Sequence, residues 1–139
     1  MKKLGVAIVA VMMTSTAIGA NWVNLGETDN KEFIHSLDFD SVRKLNTYSK
    51  QISYFTKTDY SKAQKTTDGK YYNYEKVQWK GDCENNRTSL MGAIANTKNG
   101  SAVYSYNIPY DNWQPAFPDT VAEIRLKIAC YLAGYRDTL

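Results

Sequence analysis

Through most of the chain apolar and polar residues alternate in steps of two, and only near the C-terminus does the period lengthen to that of a helix. Residues 74–82 are the clearest case. Val77 and Trp79 fall on one side of an extended segment and Lys76, Gln78 and Lys80 on the other, the mark of a strand with one wet face. Residues 22–25, 33–37, 50–57, 88–96 and 102–108 read as further strands. In residues 50–57, Ile52 and Tyr54 share one face and Ser53 and Phe55 the other; in residues 88–96, Leu90, Gly92 and Ile94 share a side. Asp68-Gly69 and Asn99-Gly100 supply the turn chemistry of tight hairpins. Residues 58–70 read as a polar connection, and residues 38–43 as a helical turn capped by Asp40 or Ser41.

The C-terminal element is a helix. Thr120 and Glu123 form a capping box at its start, each side chain accepting from an otherwise unpaired N–H, and Gly134 closes it. Val121, Ile124, Ile128, Tyr131 and Leu132 form one apolar stripe, and Ala122, Leu126, Cys130 and Ala133 a second. Two apolar faces call for cover on two sides, from the rest of the chain or from a partner. The expected class is therefore α+β: an antiparallel meander of about five to six strands packed with one C-terminal α-helix.

Ahead of the first strand the pattern changes. Lys2 and Lys3 precede an apolar run from Leu4 to Met13, and small residues follow as far as Ala20. This is the layout of a secretory signal peptide over residues 1–20, with one mature domain over residues 21–139. The run is shorter than the roughly 20 residues a spanning helix needs, so no membrane span is expected in the mature chain. No Cys stands at the end of the leader to carry a lipid.

Export changes the meaning of the cysteines. Cys83 and Cys130 are the only two, and in an oxidising compartment one disulfide between them is expected, two buried thiols being the alternative. Losing Lys2 and Lys3 leaves 15 basic against 14 acidic residues. That balance, with no dense basic run, gives no nucleic-acid footprint.

Catalytic chemistry finds little support. His35 is the only histidine, which leaves no metal set, no cofactor motif and no triad. Asp38 and Asp40 fit turn chemistry better than a paired-carboxylate site, and the lysine-bearing stretch around Lys57, Lys62, Lys65 and Lys70 reads as a solvated loop. The aromatic residues carry more information. Eleven Tyr are present, clustered at Tyr71, Tyr72 and Tyr74 and again at Tyr104, Tyr106 and Tyr110 near Trp113 and Phe117. Rings with polar tips suit recognition surfaces, although strands are rich in them for packing alone. Tyr71, Tyr72 and Trp113 are the candidate binding residues.

The landmarks also fall in a recognisable order. Trp22 opens the domain, Asp38-Phe39-Asp40-Ser41-Val42 follows, and residues 76–83 (KVQWKGDC) lead into Arg87-Thr88. Trp113, Pro118-Asp119-Thr120, Glu123 and Ile128-Ala129-Cys130 complete the series. The chain resembles the surface-adhesin protein E family of small exported bacterial proteins. The resemblance implies an antiparallel sheet with a C-terminal helix, often joined by the two cysteines, and no enzymatic activity. Its founding member is a surface lipoprotein that adheres to host matrix components; this chain differs in lacking the lipidation Cys. The expected function is a secreted, non-enzymatic, adhesin-like module contacting protein or glycan in the periplasm or at the cell surface. The alternative is a periplasmic accessory protein packing against an envelope partner. The pattern leaves the ligand and the oligomeric state open.

Overall fold

The computed structural model describes residues 20–27 and 30–139; apart from Ala20, the expected leader lies outside the described residues. The strands are β1 (Trp22–Glu27), β2 (Phe33–Asp38), β3 (Arg43–Lys44), β4 (Gln51–Lys65), β5 (Tyr71–Asp82), β6 (Arg87–Asn96), β7 (Ala102–Asn107) and β8 (Trp113–Pro115), followed by helix α1 (Val121–Leu132). All strand pairs are antiparallel. The main path runs β1-β2-β4-β5-β6-β7, with β3 in line with β2 along β4, and β8 in line with β7 along β6. The α+β meander with its C-terminal helix is thus as expected, with six long strands and two short ones.

Three local readings change. The stretch after residue 57 is strand as far as Lys65: β2 pairs with it up to Tyr60 and β5 up to Asp59 and again at Gln64 and Lys65, and this pairing outweighs its polar composition. Its irregularity is absorbed by a bulge between Asp59 and Gln64. A second bulge leaves Met91 without a partner between Leu90, which faces Trp79, and Gly92, which faces Gln78. Leu90 therefore lies on the helix side and Gly92 and Ile94 on the other, because one extra residue inverts the alternation. The turn at residues 38–43 is a short 3-10 turn capped by Asp38, whose Oδ1 accepts from Asp40 N–H at 3.1 Å.

One side of the sheet carries α1. Leu126, Ala129 and Cys130 of the helix pack with Leu37, Ile52, Tyr54 and Ala116. The seat is Gly81: a Cβ there would stand 2.6 Å from Leu126 Cδ1 and 3.0 Å from Tyr54 Cε1, so only glycine lets the helix lie this close. At the N-terminus Thr120 Oγ1 accepts from Glu123 N–H at 3.2 Å. The Glu123 carboxylate accepts from Asp119 N–H rather than from Thr120, so the box closes one residue earlier than expected. At the C-terminus Gly134 adopts φ +82. The N–H groups of Gly134 and Tyr135 reach the carbonyls of Tyr131 and Cys130, satisfying two orphan acceptors.

On the side away from the helix, Lys57 and Lys76 stand directly opposite each other. Ring faces offset their repulsion: Lys57 Nζ lies 5.2 Å from the Trp22 ring centre and 5.5 Å from that of Tyr74, which Lys76 also approaches.

Cys83, just beyond β5, is bonded to Cys130 in α1 with a Cα–Cα distance of 5.8 Å. Asp82 organises the turn that presents Cys83. Its carboxylate accepts from the N–H groups of Glu84 and Asn85, from Asn85 Nδ2 and from Arg87 Nε at 2.8 Å. Burial works to raise the Asp82 pKa, but the bonds from Asn85, Arg87 and Glu84 together hold it below the usual range. Replacing both cysteines by alanine is expected to cost about 2–5 kcal/mol, read as a lower denaturant midpoint. An unchanged midpoint would show that the tether adds nothing to stability.

Candidate binding surface

α1 covers only part of its side of the sheet. Beyond it, where β6 offers only Ala93 and Ala95, larger rings from the flanking strands lean together. Phe33 pairs across to Tyr60, while Tyr104 and Tyr106 stand opposite Ala95 and Ala93. Phe33, Tyr60, Tyr72 and Tyr104 meet edge to face in sequence, with centroids 5.5, 5.8 and 5.5 Å apart, and Tyr104 stacks against Tyr106 at 6.2 Å. The result is one row of five rings crossing the strands. Tyr106 remains 44% exposed, so the end of the row is open to solvent.

Two charged side chains act on Tyr60, Glu75 and Arg125. Glu75 Oε2 accepts from the Tyr104 hydroxyl. Burial, aided by Glu75 and Tyr72, raises the Tyr104 pKa, and burial with Glu75 does the same to Tyr106. Burial, then Glu75 and Tyr72, push Tyr60 up to about 12 against the opposing pull of Arg125. These hydroxyls therefore stay protonated and able to donate across the physiological range.

Arg125 comes from α1. Its Nη2 lies 3.0 Å from His35 Nδ1 and 3.4 Å from Thr58 Oγ1. A guanidinium only donates, so His35 Nδ1 accepts and the ring carries its proton on Nε2. Burial, then Arg125, lower the His35 pKa. The free lone pair of the neutral ring, on Nδ1, is already taken up by Arg125. Among the described residues no cluster of three His, Cys, Asp or Glu side chains could hold a metal ion.

The structure separates the three sequence candidates. Tyr72 lies in the row. Tyr71 stands at the hairpin end, 56% exposed, with Lys65 Nζ 5.8 Å from its ring centre. Trp113 is in β8, where the Arg87 guanidinium lies 4.9 Å from its ring centre, so its ring is tied to the strut that runs through Arg87 to Asp82. Phe33, Tyr60, Glu75 and Arg125 were not singled out from the sequence. Arg125 did carry a signal: it lies three residues after Ala122 and directly before Leu126, beside the second apolar stripe of α1.

A half-covered antiparallel sheet, one tethered helix and a row of five rings, exposed at Tyr106, define a small α+β domain. The chain belongs to the surface-adhesin protein E family, whose model matches residues 22–131. Crystal form II of Haemophilus influenzae protein E is similar in fold, with a TM-score of 0.58 and 13% identity over 86% of this chain and 93% of that one. The selenomethionine form of Haemophilus influenzae protein E gives 0.58 and 11% over 84% and 90%. Protein E from non-typeable Haemophilus influenzae gives 0.52 and 13% over 87% and 91%. No curated protein matches this chain in sequence.

The His35 environment sets a pH dependence. Burial and Arg125 from α1, with Thr58 from β4 alongside, weaken proton binding in the native state relative to the unfolded chain. The stability held in this contact is therefore complete above about pH 6.5, the unfolded value, and declines as pH falls below it. Thermal melts from about pH 7.5 to 5 should show that loss, and His35→Gln should remove it. A wild-type melting temperature that stays level across this interval would contradict the assignment.

Proposed function

We propose that this protein is an exported, non-enzymatic, adhesin-like module that captures a protein or glycan partner across the aromatic row. The observation that carries the reading is the row itself: five rings on the part of the sheet that α1 leaves uncovered, with polar tips on four of them. Tyrosines provide large contact area at low entropic cost and are enriched at binding hot spots. Membership of a surface-adhesin family supports export and binding rather than catalysis. Cleavage near Asn21, leaving one domain over residues 21–139, is part of the proposal.

A second reading rests on α1. Val121, Ile124, Tyr131 and Leu132 are exposed along its outer face, which suits a periplasmic accessory protein packing against an envelope partner. Protease added to intact cells separates the two: digestion favours surface display, and protection favours the periplasmic reading.

The row is tested by capturing a partner from envelope or extracellular-matrix fractions and measuring affinity alongside thermal melts. Tyr72→Ala and Tyr106→Ala should each weaken capture about thirtyfold, the equivalent of about 2 kcal/mol, with little change in melting temperature. Tyr71→Ala, at the margin, should cost less. Trp113→Ala should lower the melting temperature and leave affinity intact. Parallel loss of stability and binding in the row variants would make the row a packing feature only.

A further inference from the structure

Arg125 is half-buried, yet among the described residues no carboxylate pairs with it. Its bonding partners, His35 and Thr58, are neutral, and its Nε–H is buried without an acceptor. Burial lowers its pKa, and only the Tyr54 and Tyr60 hydroxyls act the other way. An uncompensated cation in such a place is costly, and proteins ordinarily neutralise it with an internal acid. Among the described residues no acid is bonded to this charge, which lies beside Tyr60, the second ring of the row.

The row has both signs of charge near its middle: Arg125, bonded to Thr58 two residues before Tyr60, and Glu75, bonded to Tyr104. We infer that the row takes a glycan bearing isolated carboxylates, with Arg125 holding one carboxylate and the tyrosines and Glu75 holding the neutral sugar beside it. This rests on the reading of the row as the binding surface. A guanidinium presents its donors in a planar fork that matches a carboxylate. A sugar ring offers C–H faces to stack on aromatic rings and a rim of hydroxyls that donate to Glu75 and accept from Tyr60. A run of adjacent anions, as in an acidic peptide or a heavily sulfated chain, would satisfy Arg125 but meet repulsion from Glu75. The polarity of the row selects spaced charges over dense ones.

Titration calorimetry with a hyaluronan oligosaccharide, in which uronate alternates with a neutral amino sugar, tests this against a neutral chitin oligomer and a poly-glutamate peptide. Hyaluronan should bind at least about tenfold more tightly than the chitin oligomer, the scale of one charge-assisted hydrogen bond. Arg125→Gln should erase that difference in a protein that still melts cooperatively, and Arg125→Lys should restore part of it. Tyr72→Ala should weaken both sugars. Equal binding of the two sugars, with Arg125→Gln silent, overturns the assignment of Arg125 while the row stands if Tyr72→Ala still weakens them. Poly-glutamate binding as tightly as hyaluronan overturns it in favour of an acidic polypeptide. If neither sugar binds while row variants lose a captured protein partner, the glycan inference fails and the row survives; if row variants lose nothing, both fail.

Discussion

The bond between Cys83 and Cys130 holds one short helix over one part of a broader sheet, and the rest of the molecule is arranged around that fact. Twelve residues are too few for an isolated helix to be stable in water. α1 persists because Leu126, Ala129 and Cys130 bury against the sheet, Gly81 gives them room, and the disulfide fixes the C-terminal half. The Asp82 hydrogen bonds make the other end of the tether rigid, since they hold the turn from which Cys83 projects. Lys44 Nζ, 5.0 Å from the Tyr135 ring centre, secures the chain just after the helix.

Fixing the helix there leaves the far end of the same sheet side bare. Small residues at Ala93 and Ala95 lower the floor, and the bulges at Met91 and between Asp59 and Gln64 change which residues face it. Rings from β2, β4, β5 and β7 fill the space by touching one another rather than the helix. Arg125 reaches from α1 toward this ground, which makes the helix both the lid of the core and the source of the cation beside Tyr60. Covering one part of the sheet and equipping the other are thus two consequences of the same placement.

Much of this was legible in the chain. The alternation around Val77 and Trp79, the two glycine turns and the second stripe of α1 are local signals, and local physics decides them. The cysteine pair was legible because only one pairing exists. What the sequence withheld depends on distant partners. Residues 58–65 look like loop until strands on both sides claim their backbone. Met91 carries no mark of a bulge, so Leu90 and Gly92 could not be assigned to opposite sides. Tyr72 and Tyr104 were visible as ring-rich segments, but that they meet, with Phe33 and Tyr60 beside them, follows from strand order. Trp113 was conspicuous by type, yet its surroundings tie it to Arg87. Arg125 stands beside an apolar stripe, and only the fold shows that His35 and Thr58 wait for it.

The central claim is that contact with a partner falls on the open row and not on the outer face of α1. Hydroxyl-radical footprinting of the disulfide-bonded protein, free and partner-bound, tests it residue by residue. The account predicts protection at Tyr60, Tyr72, Tyr104 and Tyr106, with Val121, Ile124, Tyr131 and Leu132 labelled equally in both states. Protection confined to those four helix residues, with the tyrosines of the row unchanged, would contradict it.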